Sequence, residues 1–201
     1  MKYYFGEDKT EVQVGIDEAG RGSLAGPVFA AAVIWNPDVQ DELSEEIKDS
    51  KKLSKKKRNA LRQYIEKNAT AFVVRCVDNK VIDEINILQA TYKAMHDCLK
   101  DMPIAFDRII VDGDKFKPFQ CHAHDCIPQG DNHYISIAAA SILAKTYHDE
   151  WIEERCKENT ELNDKYYWNK NMAYGTKAHT EGIKEHGLCD YHRKTFCKKY
   201  T

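Results

Sequence analysis

Apolar and polar positions change period several times along this chain, and each change marks an element. Val12-Gln-Val-Gly-Ile16 alternates and is β-like. Pro27 to Trp35 is continuously apolar, the pattern of a strand covered on both sides. Ser54 is placed to cap a helix running to Asn68, with Leu61, Tyr64 and Ile65 on one side. Thr70 to Val77 reads as the next strand. Leu88, Thr91, Tyr92, Met95, Cys98 and Leu99 recur at helical spacing before Pro103 ends the segment. Arg108-Ile-Ile-Val-Asp112 is a short apolar strand finishing on an acid, and Ile135 to about Lys157 is a second long helix. The early part of that helix, Ile137 to Ala144, is small on most faces, which predicts close packing. A polar stretch from Asn159 to Lys170 precedes a last helix over Lys177–Glu185, stopped by Gly187. Strands first and then strand and helix in alternation predict a mixed α/β sheet. A helical and loop-rich part from about residue 160 to 201 packs beside it, the whole of 1–201 forming one domain.

Composition narrows the class. At 201 residues, 42% of them hydrophobic, the chain can bury a core without disulfides. The longest apolar run, Leu24 to Trp35, is too short for a bilayer and contains Gly26 and Pro27. No apolar leader follows Met1, so secretion is not expected, and seven irregularly spaced cysteines read as free thiols of a reducing, cytoplasmic or nucleoplasmic compartment. The net charge of −2 conceals segregation: residues 1–46 carry −7, residues 166–201 carry +4, and Lys48 to Arg58 holds seven bases and one acid. A polyanionic partner fits this arrangement, as does a solvated surface.

The candidate chemistry lies in the acids. Asp17 and Glu18 close the alternating strand and lead into Gly20-Arg21-Gly22. Neighbours on a strand face opposite sides, so the chain must bend for both to serve one site, or one must approach from the rim. Asp112 ends another strand, and Asp131 precedes the small-residue helix. Taken singly, each reads as a strand-end residue capping a loop; converging, they make an oxygen-rich site suited to Mg²⁺ or Mn²⁺. Asp114 reads as a turn residue and Asp149 as the partner of a neighbouring base. Cys121-His-Ala-His-Asp-Cys126 has no recognised zinc spacing and reads as an exposed loop. His179, His186 and His192 read as surface or helix-end residues. No P-loop or dinucleotide glycine pattern is present.

Several segments together resemble one family, ribonuclease HII. They are Asp17-Glu-Ala-Gly-Arg-Gly-Ser-Leu-Ala-Gly-Pro-Val28, Asp49-Ser-Lys-Lys-Leu-Ser54, Ile85-Asn-Ile-Leu-Gln-Ala90, Val111-Asp-Gly113, Gly130-Asp131, Ala139-Ala-Ser-Ile-Leu-Ala-Lys145, Tyr174-Gly-Thr-Lys-Ala-His179 and His192-Arg-Lys-Thr-Phe196. They follow the family's order over nearly the whole chain. The resemblance implies a ribonuclease H-like α/β fold with a mixed five-stranded sheet flanked by helices. It implies metal-dependent cleavage of RNA in RNA–DNA hybrids and of single ribonucleotides embedded in duplex DNA. The family's four carboxylates fall on Asp17, Glu18, Asp112 and Asp131, its Gly-Arg-Gly element on Gly20, Arg21 and Gly22, and its substrate-reading tyrosine on Tyr174. Three departures stand out: Ser23 where proline is common, His148 where arginine is usual, and Met172-Ala173 where Lys-Gly is common. Only about a dozen residues precede the first strand, which weakens a type 3 reading with its large N-terminal domain.

On this reading two Mg²⁺ or Mn²⁺ ions assist hydrolysis, with Asp17 and Asp112 as central ligands and Glu18 and Asp131 completing the sites. Gly20 and Gly22 let backbone approach a ribose, and Tyr174 contacts the sugar; the bland alternative for Tyr174 is a core tyrosine before a turn. Lys51, Lys52 and Lys145 are phosphate contacts, Asn86 and Ser141 weaker ones, whereas the Lys55–Arg58 run reads as a solvated helix face. The expected products carry 3′-hydroxyl and 5′-phosphate ends, and a monomer suffices. The rivals are a same-fold nuclease with another structured substrate and a nucleic-acid-binding subunit that has lost cleavage.

Overall fold

A computed structural model describes all residues, 1–201. Five strands form one mixed sheet in the order β3-β2-β1-β4-β5. Strands β1 (Gln13–Ala19), β2 (Val28–Ile34) and β3 (Ala71–Val77) are an antiparallel meander. Strands β4 (Arg108–Asp112) and β5 (Ala123–Ile127) extend it in parallel from β1. The pairing sets Asp17 opposite Ala31 and Glu18 opposite Ala30, so β1 is central and β2 is buried along its whole length.

Side-chain alternation divides the sheet into two faces. Val14, Ile16, Ala30, Ala32 and Val111 point to one, where helix α3 (Asn79–Lys100) packs through Ala90, Ala94, Met95 and Cys98. Ala19, Ala31 and Val33 point to the other, against helix α4 (Ile135–Glu158). Helix α4 is itself covered by α2 (Lys55–Asn68) through Leu61 and Ile65, so its first part, residues 135–144, is buried all round. Its small side chains allow close approach: a Cβ on Gly15 of β1 would lie 2.4 Å from the carbonyl carbon of Ser136. A short helix α1 (Glu42–Glu45), capped by Asp41, precedes α2.

Helix α3 starts earlier than the apolar repeat indicates and is broken at Asn86, whose φ is 66°. Asn86 caps the second part, its Oδ1 accepting from the amides of Leu88 (3.0 Å) and Gln89 (3.2 Å). Leu88 therefore sits in a first turn and faces outward at 38% exposure, not into the core with Met95 and Leu99.

Two further expectations are corrected. The Cys121–Cys126 segment is not a loop; most of it is the edge strand β5, paired only to β4. An edge strand needs no continuous apolar run, so periodicity does not reveal it. Its histidines pack on aromatics, His122 against Phe106 (4.5 Å between ring centres) and His124 against Phe116 (5.4 Å). The polar stretch after Asn159 contains α5 (Glu161–Tyr166) and α6 (Trp168–Asn171). With α7 (Lys177–His186) and α8 (Lys194–Cys197) they enclose a third core of Leu24, Ile152, Leu162, Tyr166, Trp168 and Ile183. Gly187, at φ 75°, ends α7 where the sequence places its stop. No helix is long and apolar enough to cross a membrane.

Candidate active site

Parallel pairing of β1 with β4 brings Asp17 and Asp112 to the same end of the sheet. Asp131 joins them from the 3-10 turn Gly130–Asn132 between β5 and α4, its amide 3.5 Å from Asp112 Oδ1. One ligand oxygen from each of Asp17, Asp112 and Asp131 lies within 4.8 Å of the others. Asp17 and Asp131 are buried, and Asp112 is half-buried. Glu18 is outside this tight group. It follows Asp17 on the strand, so it comes from the rim, where Arg21 Nη1 holds its Oε1 at 3.1 Å.

These acids are short of positive charge. Burial, then the charges of Glu18 and Asp112, pushes Asp17 well above the usual carboxylate range, against a hydrogen bond from Ser141. Asp131 is pushed up to about 6 by burial and by Asp112 and Asp49. Asp112 rises through burial; Glu18 rises through burial despite Arg21. The one base aimed into the group is Lys51. Partial burial works against its charge, but Asp17, Asp49, Asp131 and Asp112 raise its pKa on balance. Crowded, desolvated carboxylate oxygens demand protons or a hard cation, so the donor set fits Mg²⁺ or Mn²⁺.

The Asp49–Ser54 segment presents the lysines. Asp49 accepts from the Lys51 amide (3.0 Å), and Ser50 Oγ lies 3.0 Å from Ser141 Oγ on α4. Arg58 donates to the carbonyls of Ser50 (3.0 Å) and Leu53 (2.6 Å), so it is a brace for this turn, not part of a solvated face. Lys55 and Lys57 pair with Glu153 and Glu46. Lys52 donates to Asn132 and Lys145 to Asp149 (2.8 Å), as expected of a base beside that acid.

A groove of about 410 Å³ runs from Asp17 and Glu18 past Gly20–Gly22, Lys51 and Lys145 to Tyr174. Lys52 does not line it, and Asn86 lies away from it on α3. Gly20 has φ +85°, and a Cβ there would stand 2.5 Å from His148 Cδ2, so only glycine fits. Gly22 packs below the Tyr174 ring, which is half-exposed, with Lys145 Nζ 5.0 Å from the ring centre.

The sequence reading assigned no role to Arg193, although it falls inside a family segment. Arg193 is completely buried and donates to the carbonyls of Gly20 (2.8 Å), Arg21 (3.0 Å) and Gly26 (2.9 Å). In a planar trans peptide, N–H opposes C=O. Turning two carbonyls toward Arg193 therefore directs the amides of Arg21 and Gly22 away from it. Burial pushes Arg193 down to about 10, which leaves it charged at neutral pH. No local pattern identifies such a residue, because its partners are 173 and 172 positions away.

Two histidines are also corrected. His179 and His192 are buried, not superficial, and face each other through Nε2 at 3.0 Å. His186 is exposed at the end of α7.

A family model for ribonuclease HII matches residues 14–200. The ribonuclease HII of Parabacteroides distasonis is 46% identical over 185 residues, spanning 92% of this chain and 89% of its own length. That of Christiangramia forsetii is 51% identical over 182 residues, spanning 90% of this chain and 88% of its own. The ribonuclease H2 of Pyrococcus horikoshii shares the fold with a TM-score of 0.75 at 24% identity, covering 94% of this chain and 96% of that one. With its acids gathered at one end of the sheet, and with these matches over most of its length, the chain belongs to the ribonuclease HII family of endoribonucleases.

Proposed function

We propose that this protein hydrolyses the RNA strand of RNA–DNA hybrids and cuts on the 5′ side of ribonucleotides embedded in duplex DNA. The products carry 3′-hydroxyl and 5′-phosphate ends, and the role is removal of misincorporated ribonucleotides. The observation that carries this reading is the convergence of Asp17, Asp112 and Asp131 within 4.8 Å, with Asp17 also lining the groove that holds Gly20–Gly22 and Tyr174. Cleavage chemistry and a surface suited to a sugar meet in one place.

Asp17 and Asp112 would hold a divalent cation centrally, with Asp131 beside them and Glu18 reaching in from the rim. Two Mg²⁺ or Mn²⁺ ions supply water activation and stabilisation of the departing oxygen when bound. Lys51, already directed at the acids, receives a phosphate oxygen, and Lys145 holds the adjoining backbone phosphate. The Arg21 and Gly22 amides, turned away from Arg193, offer donors to the substrate. Tyr174 lines the same groove beside them, so a ribose entering it meets these donors and the ring together. A 2′-hydroxyl both donates and accepts there; a deoxyribose leaves those groups unpaired. The chain acts as a monomer in a reducing compartment.

A binding subunit without turnover has no use for this acidic cluster, whose desolvation and mutual repulsion oppose folding. The test is cleavage of a labelled DNA duplex carrying one ribonucleotide, in Mg²⁺, Mn²⁺ or chelator, beside an all-DNA duplex and Asp112→Asn protein. Metal-dependent cutting 5′ of the ribonucleotide, absent from both controls, is the expected result. Cutting of a long hybrid alone would discard the single-ribonucleotide role. Failure of folded protein to cut either substrate would favour the binding subunit.

A further inference from the structure

Beneath the groove lies a buried line of three polar side chains to which the cleavage reading gives no task. His148 Nδ1 is 3.0 Å from Asp149 Oδ1, and His148 Nε2 is 3.2 Å from Ser23 Oγ. A carboxylate only accepts, so the proton sits on Nδ1 and Nε2 accepts from the Ser23 hydroxyl. The atom order is that of a hydrolase triad, but Ser23 and His148 are both 0% exposed, and no substrate reaches the hydroxyl. Ser23 and His148 are also two of the departures from the ribonuclease HII pattern, and here they touch each other.

Both ends of this line meet the groove. Ser23 forms a β-bridge with Tyr174, and its amide donates to Gly20 O at 3.2 Å. The imidazole fills the space that a Cβ on Gly20 would need, and its centre is 5.7 Å from that of the Tyr174 ring. At the far end, Asp149 Oδ1 also accepts from Lys145 Nζ (2.8 Å), the ammonium beside Tyr174. Its other oxygen faces Arg58 at 3.7 Å, the brace of the Lys51 turn. One buried carboxylate thus anchors an imidazole under the glycine turn and a lysine beside the tyrosine.

We propose that His148 is a positioning residue for ribose recognition: with Ser23 and Asp149 it sets the placement of Gly20–Gly22 relative to Tyr174, and so the discrimination between a 2′-hydroxyl and a hydrogen. The proposal rests on reading this groove as the ribonucleotide site, but not on turnover. An apolar side chain of similar volume at 148 keeps the packing and loses the line; glutamine keeps an acceptor for Ser23.

The experiment measures binding in chelator, by anisotropy of a labelled duplex with one ribonucleotide and of its all-DNA counterpart. The readout is the ratio of the two Kd values. Wild type is expected to favour the ribonucleotide about fivefold, the worth of one hydrogen bond. His148→Leu should bring the ratio close to one, and His148→Gln should keep it within about twofold of wild type. Ser23→Ala should lower it, and the Ser23→Ala/His148→Leu double variant should fall no further than His148→Leu, the mark of one connected unit. Thermal unfolding of each variant shows that folded protein is compared. A wild-type ratio in His148→Leu, or equal loss in the Leu and Gln variants, overturns the proposal. A wild-type ratio of one overturns it together with the ribose reading. A wild-type preference that His148→Leu abolishes, in protein that cuts nothing, supports the proposal and overturns the cleavage reading alone.

Discussion

Two regions of this molecule bury ionisable groups, and they treat them oppositely. In the C-terminal core His179, His192 and Arg193 are each provided for. The Cys189 amide donates to His192 Nδ1 (2.9 Å), so His192 carries its proton on Nε2 and donates to His179 Nε2. His179 Nε2 also accepts from Trp168 (3.1 Å), and its Nδ1 donates to the Tyr174 carbonyl (3.1 Å). Burial lowers both rings, His192 to about 4, so the neutral forms this chain of bonds requires prevail at working pH. Arg193 has three carbonyls and no need of an acid. At the sheet end the reverse holds: Asp17, Asp112 and Asp131 are crowded and raised, with Lys51 as the one base directed at them. A buried polar group that is fully paired supports the fold, whereas one left wanting a partner marks the place where a ligand completes the structure.

The contrast predicts opposite outcomes of substitution. Asp17→Asn or Asp112→Asn should lower kcat/KM by about 10³-fold or more while leaving Tm unchanged or higher, because each change relieves repulsion. A lowered Tm with retained turnover would place the acids with the fold instead. Arg193→Met should act the other way. It leaves the Arg21 and Gly26 carbonyls unpaired and Gly20 with the Ser23 amide alone, and should cost about 3 kcal/mol, or roughly 10 °C in Tm, measured by calorimetry. A stable Arg193→Met protein would show that the C-terminal pairing carries little energy.

The pH dependence follows from the same difference. A carboxyl raised to about 6 in the folded chain, against about 4 unfolded, opposes folding once ionised. Relative to Asp131→Asn, metal-free protein should therefore lose stability as pH rises from about 4 to 6, a comparison in which the opposite contribution of the depressed histidines cancels. A divalent ion replaces the lost protons, so saturating Mn²⁺ should raise Tm more at pH 8 than at pH 5, where protons compete. A larger gain at pH 5 would contradict the assignment. The smallest effect belongs to the exposed bases: Lys51→Ala should weaken substrate binding by about tenfold at low salt and less at high salt. An effect independent of salt would remove Lys51 from the phosphate contacts.

Much of the frame was legible along the chain. Alternation at Val12–Ile16, the apolar run into Trp35 and the Ser54 cap each report a local preference, and β1, β2 and α2 follow them. The strand-end acids were legible for the same reason, since Asp112 closes an apolar run. Strand β5 was not, because edge pairing is supplied by β4 and not by its own side chains. Neither was the inward face of α5 and α6, where Leu162, Tyr166 and Trp168 are spaced too sparsely to show a period. Asn86 precedes the apolar repeat that begins at Leu88, so nothing in that repeat shows that its backbone breaks a longer helix and turns Leu88 outward.

By itself the sequence determined the family, through segments that follow its order along the chain, and the elements with a local pattern, β1 to β4 and α2, with acids at the strand ends. Tertiary structure alone decided that Asp17, Asp112 and Asp131 meet while Glu18 stays at the rim, and that Arg193 turns the Gly20 and Arg21 carbonyls inward. It also decided that His148 stands on Asp149 to support the same turn. The physical reason is that desolvation and hydrogen-bond pairing depend on which distant segments arrive at a point in space. A residue's charge is written in the chain, but whether that charge is satisfied is a property of the packed molecule.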